Sequence, residues 1–221
     1  MVELAGATSR DVAAAGPATL VVPLGATEQH GPHLPLSTDT IIAESIARRL
    51  VHSRTDLALA PAIGIGASGE HAGFSGTLSI GTDALTTLLI ELVRDASRDY
   101  RRVVVVNGHG GNAMAIRSAK QVCDYEGRRF DVLPCHFPDS DAHAGRTETS
   151  VMLHLAPDLV RFDLAEPGNT AAISELLPAM RTGGVAAVSP NGVLGDPTTA
   201  TATEGARLVE ALVARLLTTL A

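Results

Sequence analysis

At 221 residues, with 45% hydrophobic and 19% charged side chains and no Trp, the chain has the means to bury a substantial core and is not disordered. Its net charge of −7, from 17 basic and 24 acidic residues, disfavours nucleic acid and anionic membrane as partners. No apolar run approaches the roughly 20 residues of a membrane span and the N-terminus lacks a signal-peptide pattern, so the expectation is one cytoplasmic domain over residues 1–221, with Cys123 and Cys135 packed and unpaired.

In chain order, Thr8 or Ser9 is placed to cap a short helix through Ala15, which Gly16-Pro17 ends. A strand over 19–24 runs into the polar stretch GATEQHGPHLPLSTDT, residues 25–40. Thr38 is the expected N-cap of a helix to about His52, striped by Ile42, Ile46 and Leu50. A second strand, 57–60, opens onto the loop PAIGIGASGEHAGFSGTLSIG. A helix from Thr82 or Asp83 to about Tyr100 follows, with Leu85, Leu88, Leu89 and Leu92 on its expected buried side. The β-branched run 102–106 reads as a strand buried on both faces and leads through NGHGGN into a helix over about 113–126. A fourth strand, 130–135, feeds a loop holding His136, Asp139, Asp141 and His143. Further helices are expected near 147–155, 173–180 and 203–220.

This strand–helix alternation predicts an α/β fold, a mainly parallel sheet covered by helices on both faces. Ligands in such folds bind beyond the carboxyl ends of the strands. Of the 8 His residues, His30, His33, His71, His109, His136 and His143 fall in those loops, whereas His52 and His154 sit in helical patterns. The stretch 25–40 concentrates Glu28, His30, His33 and Asp39 between Pro32 and Pro35; it is too polar and broken for core, and carboxylate with imidazole suits Zn, Mn or Fe(II). NGHGGN lacks the last Gly of a dinucleotide-binding loop, and ligation by His109 is preferred to a plain tight turn. His71, in HAGFSGT, reads as shaping a substrate loop. Glu148, in HAGRTETS, reads on its own as an acid favoured at a helix start.

Together TEQHGPHLPLSTDT, VVVVNGHGGN, HAGFSGT and HAGRTETSVMLHLAPDLV resemble the creatininase family of metal-dependent amidohydrolases over nearly the whole chain. The resemblance implies a three-layer α/β/α sandwich, a homo-oligomer that is often a hexamer, and two divalent ions, Zn and/or Fe(II) with Mn possible. By motif it carries Glu28, His30, Asp39 and His109 over as metal ligands, Asp39 bridging, and His143 as the proton shuttle to the departing nitrogen. His33, His71 and Phe74 become substrate-facing candidates.

SPNGVLGDPTTATATEGARLVEAL resembles the branch that acts on the mycofactocin precursor peptide, which implies a peptidase releasing a C-terminal Val-Tyr dipeptide during redox-cofactor biosynthesis. The competing readings are a creatinine or formamide hydrolase and a non-catalytic metal-binding scaffold. Two departures tell against creatininase proper: it resembles NGHYEN where this chain has NGHGGN, leaving Gly111 in place of an acid, and it uses tryptophans that are absent here. A second ion would then need another carboxylate. Glu148 is the expected source, with Asp139 and Asp141 as alternatives in a longer loop.

Overall fold

The computed structural model describes residues 2–16 and 18–220, so Pro17 lies outside the described residues. Its middle layer is a parallel sheet with strands β1 (Val2–Glu3), β2 (Thr19–Leu24), β3 (Leu57–Leu59), β4 (Arg102–Asn107) and β5 (Phe130–Pro134) in the order β1-β3-β2-β4-β5. β2 and β4 pair along their full length, with Val21 opposite Val104. Residues on a strand face alternate layers, and the two central strands therefore feed two cores. Val21, Val104 and Val106 face helices α2 (Thr38–His52), α5 (Arg146–Leu155) and α7 (Ala202–Leu220), meeting Ile46, Leu50, Val151, Leu212 and Leu216. Leu20, Val22, Val103 and Val105 face α3 (Thr82–Ala96) and α4 (Ala113–Tyr125), meeting Leu85, Leu89, Val93 and Ala119. The expected three-layer α/β/α arrangement is what forms.

Local chemistry accounts for the ends. Thr8 caps α1 (Ser9–Ala15) in a reciprocal pair with Asp11, and Gly16 closes it with a left-handed φ of 55°. Ser37, not Thr38, precedes α2, because the Thr38 hydroxyl is committed to the Pro35 carbonyl at 2.7 Å. β1 was not foreseen; two residues on an edge are too few to show alternation. In α3 the buried stripe is Leu85, Leu89, Val93 and Ala96, while Leu88 is 38% exposed and Leu92 half-buried. At about 100° per residue Leu89, Val93 and Ala96 all fall to one side of Leu85, whereas Leu88 falls about 60° to the other side and so turns away from the stripe. Near the carboxyl end of the sheet, α6 (Ile173–Gly183) and the following turn Val185–Ala187 form a small apolar cluster of Leu176, Val185 and Leu194.

The two leucines make a direct test of this packing. Leu89→Ala should cost about 2–5 kcal/mol of unfolding free energy, as for a fully buried leucine. Leu88→Ala should cost less than about 1 kcal/mol. Denaturant midpoints at unchanged slope would measure both; equal losses would show that Leu88 is packed.

Candidate metal centre

β2, β4 and β5 are neighbours, so the loops leaving their carboxyl ends open onto one spot. The β2 loop brings Glu28, Gln29, His30 and His33, and the first turn of α2 brings Asp39. Gly108 lets the β4 loop lie against that turn, since an added Cβ would come within 2.4 Å of the Asp39 carbonyl oxygen; His109 follows it. The loop after β5 supplies His143, and the first turn of α5 supplies Glu148. From beyond β3, the turn Gly69–His71 adds Glu70 and His71.

Asp39 stands at the middle. Its Oδ1 lies 3.1 Å from His30 Nε2 and its Oδ2 3.3 Å from His109 Nδ1. Glu28 is on the His109 side, Oε2 to Nε2 3.1 Å, and Glu148 on the His30 side, Oε2 to Nε2 3.9 Å. Ligand atoms of Glu28, Asp39 and His109 fall within 4.8 Å of one another, as do those of His30, His143 and Glu148, and those of Glu28, His71 and His143. Both Glu28 oxygens and Asp39 Oδ2 are buried without a hydrogen bond despite these neighbours. Lone pairs that converge on shared points rather than pairing off make a cation site, and this oxygen–imidazole donor set suits Zn, Mn or Fe(II). The residues present fit divalent cations.

Backbone carbonyls, which can only accept, fix which ring nitrogens of His30 and His143 face inward. Ala67 O is 3.3 Å from His109 Nε2, Glu28 O is 3.1 Å from His30 Nδ1, and Gln29 O is 2.8 Å from His143 Nε2. That leaves His30 Nε2 and His143 Nδ1 turned to the carboxylates, while His109 meets them with both nitrogens, Nδ1 facing Asp39 and Nε2 lying 3.1 Å from Glu28 Oε2. The Gln29 amide nitrogen donates to His71 Nδ1 at 2.9 Å and Gly192 O at 3.0 Å, which turns the His71 Nε2–H toward Glu28 Oε1, 3.4 Å away.

Burial and charge pull these groups apart. Burial opposes a charge on His30, yet the Asp39 carboxylate outweighs it and pushes the imidazole up to about 9. His109 is likewise raised against the effect of burial, through Asp39 and Glu28. Asp39 would be raised by burial but is held well below the usual carboxylate range by His30 and His109. Burial lifts Glu148 to about 7, with His30 working against the rise. His143 goes the other way: burial, then the charges of His30 and His71, hold it well below the ordinary imidazole value.

Five of the loop histidines thus gather here, His30, His33, His71, His109 and His143, while His136 is exposed outside the cluster. His33 lies behind it, buried and bonded through Nε2 to Thr149 Oγ1 at 2.8 Å. Phe74 packs against the apolar cluster of Leu176, Val185 and Leu194 rather than against the ligand atoms. Asp141 is engaged at the start of α5, accepting from the backbone of Arg146 and Thr147, and Asp139 is exposed. Of the three acids considered for the second ion, only Glu148 reaches the cluster, its Oε2 accepting from Ala144 N at 2.5 Å. Ala144 holds a left-handed φ of 52° to make that turn.

Gln29 and Glu70 were not singled out from the sequence, although each adjoins a histidine in a motif that was. A cavity of about 290 Å³ opens over the cluster, with Glu28, Asp39, Glu70, His109, His143 and Glu148 on one side and Ile173, Leu177 and Met180 of α6 on the other. A larger hollow of about 700 Å³ lies alongside, around Asp141, Arg146 and Asp196, without reaching the ligand atoms.

The family model described as creatininase, creatinine amidohydrolase, matches residues 5–220. The mycofactocin precursor peptide peptidase of Mycolicibacterium smegmatis is 54% identical over 215 residues, 95% of this chain and 87% of the relative. Among solved structures, a manganese creatininase superposes with a TM-score of 0.83 at 25% identity, covering 99% of this chain and 97% of the other. A mutant creatininase of the Zn-Zn type gives 0.82 at 25% identity, covering 99% and 96%.

Buried carboxylate oxygens without hydrogen bonds destabilise a fold, by about 1–3 kcal/mol for each unsatisfied group. In chelator-treated protein, Glu28→Gln should therefore raise the denaturant midpoint. A midpoint lowered by a similar amount would show that neighbouring imidazoles already satisfy the carboxylate.

Proposed function

The chain belongs to the creatininase family, and from that premise we propose that it is a metal-dependent hydrolase of a C–N amide bond, cleaving the mycofactocin precursor peptide to release its C-terminal Val-Tyr dipeptide. The observation that carries this reading is the convergence of buried, unpaired lone pairs from Glu28 and Asp39 with His109, beside His30 and Glu148. The 54% identity to a precursor peptide peptidase supports the substrate, and solved relatives described as Zn-Zn and Mn creatininases support the metal class.

In this reading Glu28, Asp39 and His109 would hold one ion, and His30 and Glu148 with Asp39 would hold the other, as Zn, Fe(II) or Mn. Asp39 would be the shared ligand, since its two oxygens face different imidazoles. Such ions supply Lewis acidity to the amide carbonyl and acidify water. The chain's own residues supply the rest. His143 keeps Nε2–H on the Gln29 carbonyl and presents a bare Nδ1, 3.9 Å from Glu28 Oε1, with burial holding the ring neutral. It can take at Nδ1 the proton released as water adds to the carbonyl carbon, then pass it to the departing nitrogen. Ile173, Leu177 and Met180 give apolar side chains of a peptide a wall to rest on. Among the described residues no helix is long and apolar enough to cross a membrane, and large apolar side chains at Leu78 and Met114 are exposed. Both features suit a single-domain cytoplasmic protein that assembles as a homo-oligomer.

Mass spectrometry of the precursor peptide after incubation with the protein should show loss of Val-Tyr; an intact peptide beside a cleaved creatinine or formamide would replace this substrate with a small amide. A chelator should abolish the reaction, and Zn, Fe(II) or Mn should restore it. Asp39→Ala and His109→Ala should lose metal and turnover while the fold persists, by elemental analysis and circular dichroism. Glu148→Gln should lower the metal content from about two ions per chain toward one. His143→Ala should keep its metal and slow by about 100- to 10,000-fold; metal lost along with activity would make His143 a ligand instead.

A further inference from the structure

Glu70 is a carboxylate at this cavity with no structural task. Among the described residues its one partner at ion-pair range is His109 Nε2, at 3.5 Å, and that nitrogen has nearer acceptors in Glu28 Oε2 at 3.1 Å and the Ala67 carbonyl at 3.3 Å. Glu70 takes part in none of the three ligand-spaced groups. It is also the most open acid of the cavity: its side chain is 32% exposed, against 21% for Glu148, 3% for Asp39 and 0% for Glu28.

Gly111 makes room for it. An added Cβ there would lie 2.3 Å from Glu70 Oε1 and 2.3 Å from His109 Nε2, so any larger residue would push the carboxylate away from the imidazole. On its other side the turn carrying Glu70 abuts Gly184, where an added Cβ would meet the Glu70 carbonyl oxygen at 2.6 Å. Gly184 joins α6 to the turn Val185–Ala187, which bears the apolar side of the cavity. The Glu70 carboxylate is thus held between the ligand cluster and the apolar wall.

Resting on the reading of the site as an amide hydrolase, we propose that Glu70 receives the amine side of the scissile bond. Its carboxylate accepts the N–H of the scissile amide, while the apolar wall takes the side chain of the residue that carries that nitrogen. Hydrolysis forms a C–O bond from water to the carbonyl carbon and breaks the C–N bond, and the proton lost by water ends on nitrogen. Glu70 neither gains nor loses a proton. The freed α-amine, whose ordinary pKa is about 7.7–8.0, takes up a further proton from solvent in part and leaves as an ammonium paired with Glu70. A carboxylate on the solvent side of the cluster, whose one imidazole neighbour His109 is already shared with Glu28 and Asp39, is the complement of that nitrogen.

The test compares two substrates of one sequence: the precursor peptide and its depsipeptide, with an ester oxygen in place of the scissile N–H. Glu70→Gln keeps the size of the side chain and loses the charged acceptor. It should slow peptide cleavage by about 10- to 100-fold, the worth of one hydrogen bond to a charged group. Depsipeptide cleavage should change by less than about threefold, and metal content by elemental analysis should stay at the wild-type value. Equal slowing of both substrates, loss of metal, or unchanged peptide cleavage would each overturn the role given to Glu70. Wild-type protein that leaves the peptide intact but opens a small amide overturns the peptide substrate alone, and the Glu70→Gln comparison then runs on that amide and its ester. Wild-type protein that cleaves no amide overturns both.

Discussion

The site depends on one costly act, the burial of the Glu28 and Asp39 carboxylates among imidazoles at the end of a parallel sheet. A buried charge is tolerated only when something of opposite sign faces it, and no lysine or arginine in the described residues pairs with either group. The compensating charge has to come from imidazoles or a bound cation. Carbonyl acceptors on the outer nitrogens of His30 and His143 turn the other nitrogens inward, and His109 is held by Glu28 at one nitrogen and Asp39 at the other, so the protein presents a preset cage rather than a loose group of donors.

The rest of the fold makes that cage possible. Central strands buried on both faces let two helical layers clamp the sheet, which keeps the carboxyl ends of β2, β4 and β5 in fixed register. Local irregularities then gather where the chemistry is: the close approach at Gly108 and the left-handed Ala144 beside Glu148. Each is unfavourable taken singly and is held by the packed scaffold behind it.

The cavity divides its labour between its two sides. The cluster side, rich in oxygen and nitrogen donors, suits the reacting carbonyl, and the α6 side, built from Ile173, Leu177 and Met180, suits an aliphatic peptide side chain. In the proposed reading, apolar contacts with these side chains would hold the substrate, and its orientation would come from a few polar groups such as Glu70 and His143.

The sequence alone determined the layered α/β architecture, because strands buried on both faces such as 102–106 leave short continuous apolar runs and helices with an apolar stripe leave a period-3.6 pattern, and neither needs a partner to be recognised. It also placed Glu28, His30, Asp39, His109 and His143 at strand ends, since histidines in loops broken by Gly and Pro do not belong to a core. Leu88 was misplaced because in an apolar-rich helix several stripes look alike, and packing chooses among them; Leu92, half-buried, still packs against the core. Only the tertiary structure decided among Glu148, Asp139 and Asp141, for distance to His30 depends on how the β5 loop folds, and Asp141 is engaged in starting α5. Glu70 and Gln29 likewise emerged only in three dimensions. Their meaning lies in contacts with residues 39 and 42 positions away, to His109 and His71, and separations of that size leave no periodic trace along a chain.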